Sequence, residues 1–157
     1  MQLDIIYEDK DVLVCFKPAG IAAQTAKLSS QDMVSIIKNY LAKQGGEKSP
    51  YVGVIHRLDQ PVSGLLVFAK NQKAAGLLSR QIQDGNANKD YIALCEGTLE
   101  VKKGTLVHYI VKDSITKSAK VKSEEDYKQY VNLEENSREL KKESEWISYK
   151  KAILTYE

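Results

Sequence analysis

The chain reads VIHRLDQPVSGLLVFAK over residues 54–70, and this stretch decides how the fold is interpreted. It places three ionisable residues, His56, Arg57 and Asp59, in a short loop between two apolar runs. The second run, 65–69, is continuously apolar, which predicts a strand buried on both faces. We therefore expect a carboxylate and a guanidinium on a rigid support at the end of a core strand.

Two residues of this loop favour irregular backbone. Pro61 cannot donate to a strand ladder, and Gly64 permits a sharp turn or a close backbone approach. Scaffolds often present catalytic groups on loops of this kind. Spacing alone, however, favours an ordinary surface ion pair between Arg57 and Asp59, which contributes under about 1 kcal/mol.

Composition limits the classes of protein that remain. With 157 residues, 43% hydrophobic and 28% charged, the chain is predicted to be one globular domain, 1–157. No apolar run is long enough to cross a membrane, and the first residues do not resemble a signal peptide, so a cytoplasmic location is expected. Two histidines and no Cys-x-x-Cys pair predict no metal site. A net charge of +2 does not by itself indicate a nucleic-acid partner.

Periodicity predicts further elements. One helix is expected over 31–42 with Ser30 as its cap, and another over 72–83 with Asn71 as its cap. The core-facing residues of the second helix are predicted to be Ala74, Ala75, Leu77, Leu78 and Ile82. Both cysteines, Cys15 and Cys95, fall in strand-like runs and are expected to be buried free thiols.

Strands are predicted on both sides of the helices. The first two, over 4–8 and 12–16, are expected to form an opening hairpin. Further strands are expected over 89–97, 104–111, 118–121 and 146–156. The run 134–145 is expected to be a solvated loop or exposed helix.

Two motifs together resemble a known family. His-Arg-Leu-Asp, two intervening residues, Ser-Gly and an apolar strand that ends in Ala-Lys resemble the signature of RluA-type RNA pseudouridine synthases. The opening stretch 7–20, with its Lys17-Pro18-Ala19-Gly20, resembles the first motif of the same family. Because the two motifs occur in the family's order, coincidence is improbable.

The resemblance implies a fold and a reaction. The fold would be α+β, with a mixed, largely antiparallel central sheet flanked by helices, in one catalytic domain over 1–157. The reaction would isomerise uridine to pseudouridine in ribosomal or transfer RNA, which makes RNA the expected partner. Since the reaction oxidises nothing and needs no energy input, no cofactor and no metal are expected.

By resemblance, Asp59 is the catalytic residue. An ionised carboxylate next to the ribose can attack C1′, stabilise positive charge that develops there, or remove a ribose proton. The sequence leaves these three routes open.

The resemblance also assigns supporting residues. Arg57 matches an arginine that fills the space of the flipped nucleotide or contacts the RNA backbone, and its alternative is a salt bridge to a nearby acid. Tyr91 matches a tyrosine that lies against the target uracil, and its alternative is ordinary packing. His56 is interpreted as a structural residue that holds the loop, with proton transfer as the alternative. The remaining structural residues of the site are Ser63 and Gly64.

The chain also departs from the family pattern. Relatives continue into a segment resembling Thr-Gly-Arg-x-His-Gln-Ile-Arg, which supplies a basic partner for the aspartate. This chain contains no such segment, so we expect a shortened synthase with weak or no activity and an open sheet edge that favours self-association. Two other interpretations remain: a non-catalytic RNA-binding remnant of the same fold, or a small α/β interaction module.

Overall fold

The computed structural model describes residues 3–25, 30–45, 48–113, 115–116, 118–129 and 147–157. The chain divides into two compact units, Met1–Ile92 and Ala93–Glu157. The first unit contains β1 (Asp4–Glu8), β2 (Val12–Lys17), α1 (Met33–Lys43), β3 (Gly53–Val54), β4 (Gly64–Ala69) and α2 (Gln72–Gln83). The second contains β5 (Gly104–Asp113), β6 (Ala119–Lys122) and β7 (Ile147–Tyr156).

The first sheet brings the two sequence motifs to the same end. Its strand order is β1-β2-β4-β3, and each neighbouring pair is antiparallel, which confirms the opening hairpin. Strand β2 pairs with β4 from Val12, opposite Ala69, to Lys17, opposite Gly64. The segment that follows Lys17 and the loop that precedes Gly64 therefore leave the sheet side by side.

One face of this sheet forms the core. Leu13 and Cys15 of β2 and Leu66 and Phe68 of β4 are fully buried, and the antiparallel register places Leu13 opposite Phe68 and Cys15 opposite Leu66. Helix α1 supplies the other half of the core, because apolar residues recur along one side of it. Its buried members are Met33, Ile36, Ile37 and Leu41.

The cap of α1 differs from the prediction of Ser30. The N-cap residue is Asp32, whose Oδ1 accepts a hydrogen bond from the backbone N–H of Ser35 at 2.8 Å. The Asp32 N–H donates in return to Ser35 Oγ at 3.0 Å, which completes a capping box. Asp32 Oδ2 also accepts from the Thr25 N–H at 2.7 Å, so one buried carboxylate binds both the first turn of α1 and the backbone at Thr25.

Two apolar faces are more open than the sequence indicates. Strand β4 is not buried on both faces, because α1 packs on the side of Leu66 and leaves Leu65 52% exposed. Helix α2 has the predicted bounds, and Asn71 caps it by accepting from the Ala74 N–H at 2.9 Å. Of its predicted core residues, however, only Ala74 is buried, and Leu77 is 56% exposed.

The second unit is a three-stranded antiparallel sheet of order β6-β5-β7. Its strands lie close to the predicted runs, with a ten-residue ladder from Gly104 opposite Tyr156 to Asp113 opposite Ile147. No described side chain of this unit is buried. The loop or helix expected over 134–145 lies outside the described residues.

The predicted strand over 89–97 does not form. These residues have no regular structure, and Ile92 and Leu94 are fully exposed. Cys95 is exposed as well, whereas Cys15 is buried and burial raises the pKa of its thiol to about 11. The physical reason is that a β-favouring sequence forms a strand only when a neighbour pairs with it, and this segment has no such neighbour among the described residues.

The α+β class is confirmed, with two separate antiparallel sheets in place of one central sheet. A parallel contact occurs only as an isolated bridge, Ala22 with Asp32, within the described ranges. Of the two helices with assigned bounds, of 11 and 12 residues, neither has the length and apolar character needed to span a bilayer. The single catalytic domain over 1–157 stays a prediction.

The register of β4 predicts that truncating two adjacent leucines lowers the free energy of unfolding by very different amounts. Leu66→Ala should lower the free energy of unfolding by about 2–5 kcal/mol, because it leaves a cavity beneath α1. The matched variant Leu65→Ala should lower it by under about 1 kcal/mol, because that side chain is half in solvent. Urea unfolding of both variants measures the difference, and equal losses would contradict the register.

Candidate active site

The candidate loop, residues 55–63, connects β3 to β4 beside the end of β2. A turn within it is closed by the Val62 N–H, which donates to the Asp59 carbonyl at 3.0 Å. Gly64 ends the loop, and a Cβ at this position would lie 3.1 Å from Leu58 Cδ1. A side chain here would make the end of Leu58 shift, and the φ of +154° also favours glycine, so both observations agree with the close approach that the sequence predicts.

A buried lysine joins the loop to the first motif. Lys17 ends β2 on the core face and is fully buried. Its Nζ donates to the carbonyls of Ile21 at 2.8 Å, Pro18 at 3.0 Å and Gln60 at 3.2 Å. The three hydrogen bonds match the three donors of an ammonium group, which is how a charge is tolerated in the interior.

Gln60 provides a second connection between the same two segments. Its carbonyl accepts from the Gly20 N–H at 2.8 Å, and its side-chain Nε2 donates to the Gly20 carbonyl at 2.9 Å. Gly20 has φ +89°, a conformation that other residues adopt only with strain. The residue next to Asp59 is thus bound to the first motif from both its backbone and its side chain.

Lys17 also supplies positive charge near Asp59. Burial lowers the pKa of Lys17, and the negative charge of Asp59 acts in the opposite direction. The Lys17 ammonium therefore lies within electrostatic reach of the Asp59 carboxylate, but the two groups form no ion pair in the described part of the chain. The expectation that Asp59 lacks the basic partner of the family segment stays a prediction.

Asp59 and Arg57 line one open hollow of about 430 Å³. One wall is formed by Arg57, Leu58, Asp59 and Gln60, and the other by 22–24. Arg57 and Asp59 form no ion pair with each other or with another described residue. The surface salt bridge considered for Arg57 is therefore not observed among the described residues, and both charged groups are accessible to a ligand.

His56 contacts the sheet rather than the hollow. Its Nε2 accepts a hydrogen bond from the Val67 N–H of β4 at 3.3 Å. The pairing of β3 with β4 ends at Phe68, so the imidazole binds the next N–H group along β4. The imidazole is therefore neutral, with its proton on Nδ1, which is buried and has no partner within the described part of the chain. Burial, and then the positive charge of Lys89, lowers the pKa of His56. This geometry favours the structural role over proton transfer.

Two predicted residues lie apart from this network. The Ser63 side chain is exposed and makes no hydrogen bond among the described residues. Tyr91 is 61% exposed and is not part of the lining of the hollow. Its segment nevertheless approaches the loop, because Lys89 lies close enough to affect His56.

Sequence reasoning assigned no site role to Lys17, Gln60 or Gln24. A signal for Lys17 existed: in the alternating pattern of β2 it shares the face of Leu13 and Cys15. No comparable signal marks the two glutamines, whose positions depend on tertiary contacts. No cluster of three or more His, Cys, Asp or Glu residues suited to a metal ion occurs in the described ranges.

The fold is similar to that of a solved RNA-modifying protein. The structure named human RNA Pseudouridylate Synthase Domain Containing 1 matches with a TM-score of 0.59 and 24% identity, over 78% of this chain and 46% of that one. At this identity the likeness shows the fold alone.

The family follows from sequence. The chain belongs to the RNA pseudouridylate synthase family, which matches residues 11–152. An uncharacterized RNA pseudouridine synthase of Bacillus subtilis is 37% identical over 112 residues, which are 71% of this chain and 37% of that protein. Ribosomal large subunit pseudouridine synthase D of Borreliella burgdorferi is 32% identical over 144 residues, 85% of this chain and 44% of that protein. The RluA-type resemblance is confirmed, and the chain spans less than half the length of these two relatives.

The buried ammonium predicts a selective loss of stability. Lys17→Met keeps most of the side-chain volume but removes the donor from the carbonyls of Pro18 and Ile21, and it leaves the Gln60 carbonyl with the Gly20 N–H alone. We expect the free energy of unfolding to fall by about 2–4 kcal/mol in urea titrations. The control Lys10→Met, at an exposed position in the β1–β2 turn, should change it little, and equal effects would contradict the role of the Lys17 contacts.

The lowered pKa of His56 predicts a pH dependence of stability. The unfolded chain binds a proton at the His56 imidazole more readily than the folded chain does. The contribution of neutral His56 to stability is therefore full above the ordinary pKa of about 6.5 and is lost as pH falls through the folded pKa. Urea unfolding between about pH 7.5 and pH 5 should therefore show a smaller loss of stability in His56→Gln than in the wild type. His108→Gln is the control and should keep the wild-type slope. An unchanged slope in His56→Gln would refute the assignment.

Proposed function

We propose that this chain isomerises uridine to pseudouridine in ribosomal or transfer RNA, with Asp59 as the catalytic residue. The observation that supports it most is the hollow lined by the Asp59 carboxylate and the Arg57 guanidinium, on a loop held by Lys17. Neither group forms an ion pair with a residue that the structure describes. Family membership supplies the reaction class. The substrate class rests on relatives that carry the names ribosomal large subunit pseudouridine synthase D and tRNA pseudouridine synthase C.

The reaction requires one well-placed carboxylate. The bond between uracil N1 and ribose C1′ breaks, the base turns, and C1′ joins C5. The proton lost from C5 goes to solvent and one is gained at N1, so atoms balance without a cofactor. Asp59 can attack C1′, stabilise its positive charge or take a ribose proton, and each route needs an ionised carboxylate beside the sugar.

The other predicted residues take supporting roles in the proposal. Arg57 is exposed and forms no ion pair with any described residue, so its planar guanidinium is available to fill the space of a flipped nucleotide or to bind phosphate. Tyr91 presents an exposed ring on which a base can stack. His56 and Gly64 hold the loop, and Ser63 completes the signature at its end.

RNA is the expected partner, and the cytoplasm is the expected location. Self-association through an open sheet edge stays a prediction. The described sheets have four edge strands, β1 and β3 in the first unit and β6 and β7 in the second.

The proposal is tested with RNA that carries tritium at C5 of uridine. Transcripts of large-subunit ribosomal RNA and of transfer RNA should release tritium when incubated with the chain. Asp59→Asn should lower the rate by at least about 100-fold, because the amide cannot act as a base or nucleophile. Asp84→Asn, at the exposed end of α2, is the matched control and should keep the wild-type rate.

Two results would refute the proposal. One is full activity of Asp59→Asn, which would remove the catalytic assignment. The other is the absence of tritium release by the wild type, and RNA binding that weakens with salt would then favour the non-catalytic RNA-binding interpretation.

A further inference from the structure

The hollow beside Asp59 has a second wall whose chemistry is not assigned. This wall consists of 22–24. Ala22 and Ala23 present only methyl groups, and Ala23 is buried. Gln24 is exposed and is the one side chain of this wall that can form hydrogen bonds.

The backbone on both sides of Gln24 is fixed. The carbonyls of Ala22 and Ala23 accept from the first N–H groups of α1, those of Met33 at 3.0 Å and Val34 at 3.3 Å. The Thr25 N–H donates to Asp32 Oδ2 at 2.7 Å. A side chain on such a support loses only its own rotamer freedom on binding, which favours a preorganised contact.

The beginning of the same segment is also anchored. The Ile21 carbonyl accepts from Lys17 Nζ at 2.8 Å, and the same ammonium holds the Gln60 carbonyl on the opposite wall. The buried ammonium, together with the Gly20–Gln60 hydrogen bonds, therefore holds the segment that carries Gln24 beside the Asp59 loop.

Hydrogen-bonding capacity separates Gln24 from the other residues of the hollow. The Arg57 side chain can only donate, and an ionised Asp59 can only accept. The Gln60 amide is already engaged with the Gly20 carbonyl. Gln24 is the lining side chain whose amide has both a donor and an acceptor free, since it makes no hydrogen bond within the described part of the chain.

We propose that Gln24 binds the uracil edge of the nucleotide held at Asp59. Its amide oxygen accepts from uracil N3–H, and its amide nitrogen donates to uracil O4. The assignment makes Gln24 a substrate-positioning residue and rests on the proposed function, since it takes a uridine as the occupant of the hollow. An amide that is free to turn would also fit cytosine, so the contact contributes affinity and orientation rather than choice of base.

The test measures binding and does not require turnover. Uridine 5′-monophosphate and its N3-methyl derivative are titrated into the full chain, and the side-chain amide resonance of Gln24 is followed by NMR. The parent nucleotide should shift this resonance and bind about tenfold more tightly than the derivative, which lacks the N3 donor. Gln24→Met, which has a similar shape without hydrogen-bonding groups, should lose that preference, whereas Gln83→Met at the end of α2 should retain it.

Each contrary outcome has a defined meaning. If the nucleotide does not bind, if it leaves the Gln24 resonance unshifted, or if Gln24→Met keeps the wild-type preference, the proposal for Gln24 is wrong. Tritium release that depends on Asp59 would still support the synthase reaction in that case. Conversely, a preference that depends on Gln24 without any tritium release would establish a uridine site and overturn the catalytic function.

Discussion

The ammonium group of Lys17 is the constraint on which the candidate site depends. It lies at zero solvent exposure on the core face of β2 and is bound to three backbone carbonyls. A charge in that position is stable only while all three acceptors remain in place. The Pro18 carbonyl belongs to the first motif, the Ile21 carbonyl directly follows it, and the Gln60 carbonyl lies in the Asp59 loop. The requirement to solvate one cation therefore holds two segments 43 residues apart in a fixed arrangement.

The surrounding polar contacts also hold backbone segments in place. Gln60 pairs with Gly20 through backbone and side chain, and His56 accepts a hydrogen bond from an N–H group of β4. Asp32 joins helix α1 to Thr25, in the segment that follows the first motif. Each of these polar groups is used to position backbone. Arg57, Asp59 and Gln24, whose side chains have no polar partner among the described residues, line one hollow. The polar groups with structural roles are thereby separated from those proposed to bind a ligand.

Much of this arrangement can be predicted from the sequence, and there are physical reasons why the rest cannot. Alternation and helical periodicity predict the hairpin, the helices and the second sheet, and along β2 and α1 they also mark the buried face. The motif places Arg57 and Asp59 together because they are close in sequence. The roles of Lys17 and Gln60 are missed because their partners are backbone carbonyls, which carry no residue signature, although alternation along β2 places Lys17 on the core face. Gln24 is missed because its place beside Asp59 depends on tertiary structure. The strand over 89–97 is wrongly predicted because strand formation depends on a pairing neighbour, which local composition does not report.

Hydrogen exchange at the Gly20 amide tests the central claim most directly, because this N–H connects the first motif to Gln60. If the Lys17 ammonium holds the two segments together, Gly20 exchanges slowly in the wild type and in Lys10→Met. The Gly20 amide should exchange much faster in Lys17→Met, while amides in the middle of β2 and β4 remain protected from exchange. Equal exchange of Gly20 in Lys17→Met and the wild type would contradict the account.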